Sequence, residues 1–197
     1  HPGEAFINTS RIIKLSGLSS HDQTIAEAEA ARQVEELLAF FRKYLPGFES
    51  SYLAAIADVT GVRESRRIHG RYTLTVEDVY EERTSSEGVA VCAFPIDIHD
   101  PTGADLQWVR RKQDFCYGVM VPQKIGNLLV TGRCNSATHE ALASARISAT
   151  AMALGQAAGT AACLALDQKV AFDHLDVAHL QQELRRQGAI PTKADLS

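Results

Sequence analysis

Hydrophobic and polar positions alternate with two different periods along this chain. From Asp22 to Tyr44, Ile25, Ala28, Val34, Leu37, Leu38 and Phe41 recur at helical spacing and predict one long helix with a buried stripe. Asp22 is its expected cap. Glu27 and Glu29 sit early and Arg42 and Lys43 late, which suits the helix dipole, and Pro46-Gly47 stops it. A second helix is predicted from Asp176, its cap, through Gln187, with Val177, Leu180 and Leu184 on the apolar face and Gly188 at the C′ position. The region between is cut into short pieces. Phe6 to Leu15 reads as one strand, and Tyr52 to Val59 is ambiguous between strand and helix. Ile68, Tyr72 and Leu74 fit a strand, and Thr75 with Asp78 resembles a capping box opening a brief helix, Val76 to Arg83. Val89 to Phe94 is a predicted strand that enters a Pro- and Gly-bounded loop, Pro95 to Gly103. Leu106 to Val109 and Phe115 to Val121 are expected to pair as strands.

One stretch organises the rest. Asn127 to Leu166 reads as a short apolar strand (Leu128, Leu129, Val130), then Gly132, a polar loop, and a long helix crowded with Ala and Gly. Each glycine in a helix interior costs about 1 kcal/mol relative to Ala. Gly155 and Gly159 therefore point to close approach of another backbone or a flat ligand, with tight packing on a sheet as the alternative. The helix start, near Ile147 to Thr150, offers unpaired N–H groups and a positive dipole end. That end can hold a negative charge.

Composition narrows the class. The 197 residues can hold one domain or two small ones, and 45% apolar with 22% charged content is that of a soluble globular protein. A net charge of −4 offers no basic field for nucleic acid. The one candidate membrane span, about Ala149 to Leu166, carries Thr, Gln and Gly and is read as a buried soluble helix. The chain opens HPGEAF, without an initiator Met or a signal-like start, so the expectation is a processed chain or a fragment. Cys92, Cys116, Cys134 and Cys163 are widely spaced and read as reduced thiols of a cytoplasmic protein. Asn8-Thr9-Ser10 fits a glycosylation triplet, but such triplets often arise by chance.

Several side chains carry potential chemistry. His139-Glu140 and the run Asp97-Ile98-His99-Asp100 are the acid/base candidates. The same residues could ligate a metal, but no H-E-x-x-H spacing supports it. Arg63-Glu64-Ser65-Arg66-Arg67 is the densest charge cluster, either an anion-binding face or a solvated strand edge. Gly132-Arg133 follows an apolar run, where ligands sit in open α/β sheets, and Arg133 could meet a phosphate or hold the loop. Ser136 and Ser144 lie near His139, but no G-x-S-x-G elbow supports a hydrolase.

The segments GVRESRRIHGRYTLT, PIDIHDPTG, NLLVTGRCNSATHEALASARISATAMALGQAAGTAA and DHLDVAHLQQELRRQGA, in that order, resemble the C-terminal half of the bacterial FAD-dependent oxidoreductase family, itself distantly similar to fumarate reductase flavoproteins. The resemblance runs from about Asn8 to Ala189. It implies an α/β fold (α+β if this is a fragment), comprising the C-terminal portion of a Rossmann-like FAD domain and part of a cap or substrate domain. It implies residues 1–120 in the substrate or cap region, 121–168 as the returning strand and helix of the FAD domain, and 169–197 as a C-terminal helix and tail. The cofactor implied is FAD. Gly132 and Arg133 would lie by its ribityl and pyrophosphate region, and Arg146, Ile147 and Ser148 beside the isoalloxazine ring. Arg63, Arg66, His99, His139 and Glu140 would face a small-molecule substrate.

The sequence departs from that family at one point. None of its 13 glycines forms the G-x-G-x-x-G loop that cradles the ADP half of FAD. Two readings follow. In one, the chain is part of a flavin-dependent oxidoreductase that moves a hydride between a small organic substrate and FAD, with the nucleotide-binding portion upstream or on another chain. In the other, it is a non-catalytic fragment or assembly module that does not bind FAD alone and self-associates.

Overall fold

Local capping decides where most of the helices begin. The computed structural model describes residues 3–100, 103–107 and 111–196, with the backbone alone for 99, 100 and 103–107. It shows a mixed α/β chain of five α-helices and two antiparallel two-stranded ribbons, divided into two compact units, His1–Ser65 and Arg66–Ser197.

The first unit is built on helix α1, Ser20–Tyr44. Ser19 is its N-cap, accepting from the Asp22 backbone N–H, while the Asp22 carboxylate accepts from Ser16 N at 2.9 Å. The cap expected at Asp22 thus lies three residues earlier, because the Ser19 hydroxyl reaches the free N–H groups first. The segments on either side of the helix fold back on it without regular structure. The Gln33 carboxamide both accepts from Arg11 N (3.1 Å) and donates to Arg11 O (3.0 Å), as a neighbouring strand would. Glu27 accepts from Thr60 N at 2.7 Å, and Arg42 donates to Ser51 O at 2.7 Å. Side chains make these contacts, so the strand expected at Phe6 to Leu15 does not form, and Tyr52 to Val59 is neither strand nor helix. The stripe predicted on α1 is only half realised. Val34, Leu37, Leu38 and Phe41 are partly covered, Ile25 and Ala28 are exposed, and no residue of the helix is fully buried.

The second unit holds the core. Strand β1 (Gly88–Cys92) pairs antiparallel with β4 (Gln113–Cys116), and helix α4 (Ser148–Gln168) packs over β1. Thr150, Leu154, Ala157, Ala161 and Ala165 form the buried stripe of α4. Their small side chains let the helix approach closely. Phe115, Val119, Met120 and Leu142 fill the centre, and Leu180 and Leu184 of α5 (Val177–Arg186) close one side. Buried Gln181 ties α5 to β1 by donating to Ser86 O (3.0 Å) and Gly88 O (2.8 Å). Asp176 caps α5 and Gly188 follows it with φ +80°, as the pattern predicts.

Strands β2 (Ile96–Asp100) and β3 (Gly103–Gln107) make the second ribbon, with Asp97 opposite Leu106. The loop expected over Pro95 to Gly103 is therefore largely hairpin, because residues 103–107 supply a partner for its backbone. Trp108 and Val109 lie outside the described residues. β4 ends at Cys116, short of the predicted Val121, where the chain tightens into a 3-10 turn, Tyr117–Val119. From there its backbone serves neighbouring loops: Tyr72 N donates to Gly118 O (3.1 Å), Ser136 N to Val119 O (2.9 Å), and Arg71 N to Val121 O (2.9 Å). Residues 68–74 thus run between 118–123 and 134–138 by single hydrogen bonds, without becoming a regular strand.

Helix α2 (Val76–Tyr80) begins with the predicted box: Thr75 accepts from Asp78 N, and Asp78 accepts from Thr75 N. Asp78 is buried and also accepts from the Tyr72 hydroxyl (2.7 Å) and Arg83 (2.9 Å). Burial alone would raise its pKa, but the Thr75 amide, the Tyr72 hydroxyl and Arg83 outweigh it and hold the carboxyl below the ordinary range. A depressed folded-state pKa contributes stability above the unfolded value of about 3.9, and that stability is lost as pH falls through the folded value. Asp78→Ala should cost about 2 kcal/mol at neutral pH. Urea denaturation between pH 3 and pH 7 should show a shallower loss of stability on acidification in this variant than in the wild type.

Candidate functional site

The polar loop and helix that dominate the sequence form two consecutive helices. The backbone after Val130 stays extended but unpaired apart from Val130 N donating to Met120 O (2.9 Å), so the predicted strand Leu128–Val130 is absent. Gly132 then enters a 3-10 turn, Gly132–Cys134, with φ +72°. No atom lies within 4 Å of the position a Cβ would take there. Arg133 and Cys134 are exposed on the turn, and α4 packs against it.

Asn135 and Ser136 carry the chain inward. Cys134 O accepts from Ile68 N (2.9 Å), and the Ser136 hydroxyl lies 2.9 Å from that of Thr73. Thr138 then caps α3 (His139–Ala145), accepting from Ala141 N at 3.3 Å. His139 and Glu140 are the exposed first residues of this helix. Arg67 reaches the same end and donates to Ala137 O at 2.7 Å. The Glu140 carboxyl is held below its ordinary pKa, first by its own backbone amide, which outweighs the opposing effect of burial, and then by the Thr138 hydroxyl, His139 and Arg67. It is a carboxylate at neutral pH.

Seven residues after His139, about 10 Å along the axis, Arg146 ends α3 and donates to Asp97 O of β2 at 2.8 Å. Ile147 separates the helices, and Ser148 starts α4, where the sequence placed the helix start. α1, α2, α3 and α5 each begin with a side chain that accepts from a first-turn N–H, and α4 does not. Ser148 and Ala149 are exposed there. The end of α4 thus presents backbone donors and a positive dipole end to the surface, suited to an anion or a polar heteroatom.

The FAD dependent oxidoreductase family model matches residues 1–184. The chain belongs to the FAD dependent oxidoreductase family. No curated protein and no solved structure matches it. The family consists of oxidoreductases that use FAD, and three features of this chain fit that group. They are the open space over Gly132, the uncapped start of α4, and a buried carboxamide at Asn135 whose two polar atoms have no partner.

The ten predicted site residues fall into distinct places. Gly132 and Arg133 sit on the turn under α4, and Arg146, Ile147 and Ser148 sit at the α3–α4 break. His139 and Glu140 lie at the far end of α3. His99 is on β2, with its side chain outside the described residues. Arg66 is exposed, and Arg63 belongs to the first unit. Arg67 and Asn135 were not singled out by the pattern. Arg67 was one of three arginines in a row of charges, and Asn135 looked like any polar loop residue.

Gly155 and Gly159 lie on the exposed face of α4, and a Cβ at either would meet nothing within 4 Å. The buried stripe packs on the core through alanines instead. Gly155→Ala and Gly159→Ala should each stabilise the chain by about 0.5–1 kcal/mol, through helix propensity alone. Urea denaturation of the two variants measures this, and destabilisation would show that the face is covered.

Proposed function

We propose that this chain forms one wall of the active site of a cytoplasmic FAD-dependent oxidoreductase acting on a small organic substrate. The family match over residues 1–184 carries the reading, and the uncapped start of α4 beside Arg146 supports it. Bound flavin would supply the redox chemistry, taking or giving a hydride. The N–H groups of Ser148 and Ala149 would hold negative charge on the ring. Gly132 would let the ribityl region approach the backbone, and Arg133 would pair with phosphate. Arg146, fixed by Asp97 O, would set the edge of the flavin pocket. Arg66, His99, His139 and Glu140 would line the substrate side, with ionised Glu140 and the imidazoles handling protons. A phosphate-binding loop of the G-x-G-x-x-G type would come from another part of the protein or another chain.

The complete gene product, expressed and mixed with FAD, should show a flavin absorbance spectrum. Arg133→Ala and Arg146→Ala should each bind FAD roughly tenfold more weakly. A colourless wild type would refute the proposal, and unchanged binding in both variants would refute the placement of the arginines.

A second reading, an assembly module, rests on exposed apolar side chains. Phe6 (97%), Tyr52 (79%) and Val59 (70%) in the first unit, and Met152 (75%) and Leu166 (78%) on α4, lie open. On that reading sedimentation of the chain alone should give a homo-oligomer. A monodisperse monomer would count against it.

A further inference from the structure

We infer that Asn135 is a ligand-binding residue whose carboxamide is held unpaired in this chain to meet the imide-like edge of a flavin-type ring. The inference rests on the flavin reading above. Asn135 is 0% exposed, and neither its Oδ1 nor its Nδ2 finds a hydrogen-bond partner. Gln181, Ser144 and Asp114, buried in the same unit, are engaged. Gln181 donates to two carbonyls, Ser144 donates to Phe94 O (2.6 Å), and Asp114 accepts from Ser85 N (3.0 Å) and Lys193 N (2.7 Å). An amide buried without partners destabilises the fold, and a leucine of nearly the same size would not. Retaining the amide therefore makes physical sense if something else completes it.

The surroundings indicate what that is. The flanking backbone is anchored, with Cys134 O accepting from Ile68 N and Ser136 N donating to Val119 O, both at 2.9 Å. The outer part of the turn is held less firmly. Asn135 N reaches Gly132 O at 3.4 Å, Gly132 has open space above it, and Arg133 and Cys134 are exposed. A small lift of Gly132 and Arg133 would open a path to the amide without disturbing the anchors. A carboxamide sets a donor beside an acceptor, the complement of a ring edge that carries N–H beside C=O.

The test uses the complete gene product as wild type, Asn135→Leu and Asn135→Ala. FAD affinity is read by fluorescence titration, and thermal melting is read on the flavin-free protein. Asn135→Leu should bind FAD roughly tenfold more weakly while melting no lower than the wild type. Unchanged FAD affinity in Asn135→Leu would overturn the inference and leave the flavin reading intact. A wild type that binds no FAD would overturn both. If Asn135→Leu melts several degrees lower or does not fold, Asn135→Ala, which cannot clash, decides by affinity alone: a loss supports the inference and no loss overturns it.

Discussion

The packing of the α4 alanine stripe against β1 sets the position of everything around the candidate site. Leu154, Ala157, Ala161 and Ala165 are almost fully covered, so the helix lies close to the ribbon and has little freedom to slide. That contact fixes where Ser148 falls, and with it the backbone donors of the first turn. It also presses α4 against the Gly132–Cys134 turn. A larger residue at Ala157 or Ala161 would push the helix away and shift both features together.

The same contact divides the small residues of α4 into two sets with different meanings. The alanines are small because the core is tight. The glycines at 155 and 159 face outward, where tight packing gives no account of them. Composition alone cannot separate the sets, because both read as a run of small residues with helical spacing. Only the side of the helix that β1 occupies tells them apart.

Features determined by neighbouring residues were legible in the sequence. The Thr75–Asp78 box, the Asp176 cap with Gly188 beyond α5, and the helix start near Ile147 all rest on contacts within a few positions. Features that depend on distant partners were not. Ile96–Asp100 became a strand because residues 103–107 came back beside it, and Leu128–Val130 stayed unpaired because no described strand did. On α1 the apolar period was correct, but period says nothing about how much material exists to cover the stripe. The site shows the same split. The Gly132-Arg133 pair and the Arg146–Ser148 corner could be picked out by residue type and order. The burial of Asn135 could not, because it comes from α4, 68–74 and 118–123 meeting around one loop.

The α3–α4 break turns these local facts into a directional site. Were the two helices continuous, Ile147 to Thr150 would be mid-helix residues with their N–H groups consumed by the preceding turn. Ending α3 at Arg146 and restarting at Ser148 releases those donors, while the Arg146 guanidinium is held by Asp97 O on β2. The break also places an arginine at the C-terminal end of α3, where a cation is favoured, directly before the positive start of α4. Both therefore offer positive potential at the same corner. At the other end of α3, Glu140 is ionised beside His139 and Arg67. One short helix thus separates the Arg146–Ser148 corner from the His139–Glu140 end by about 10 Å.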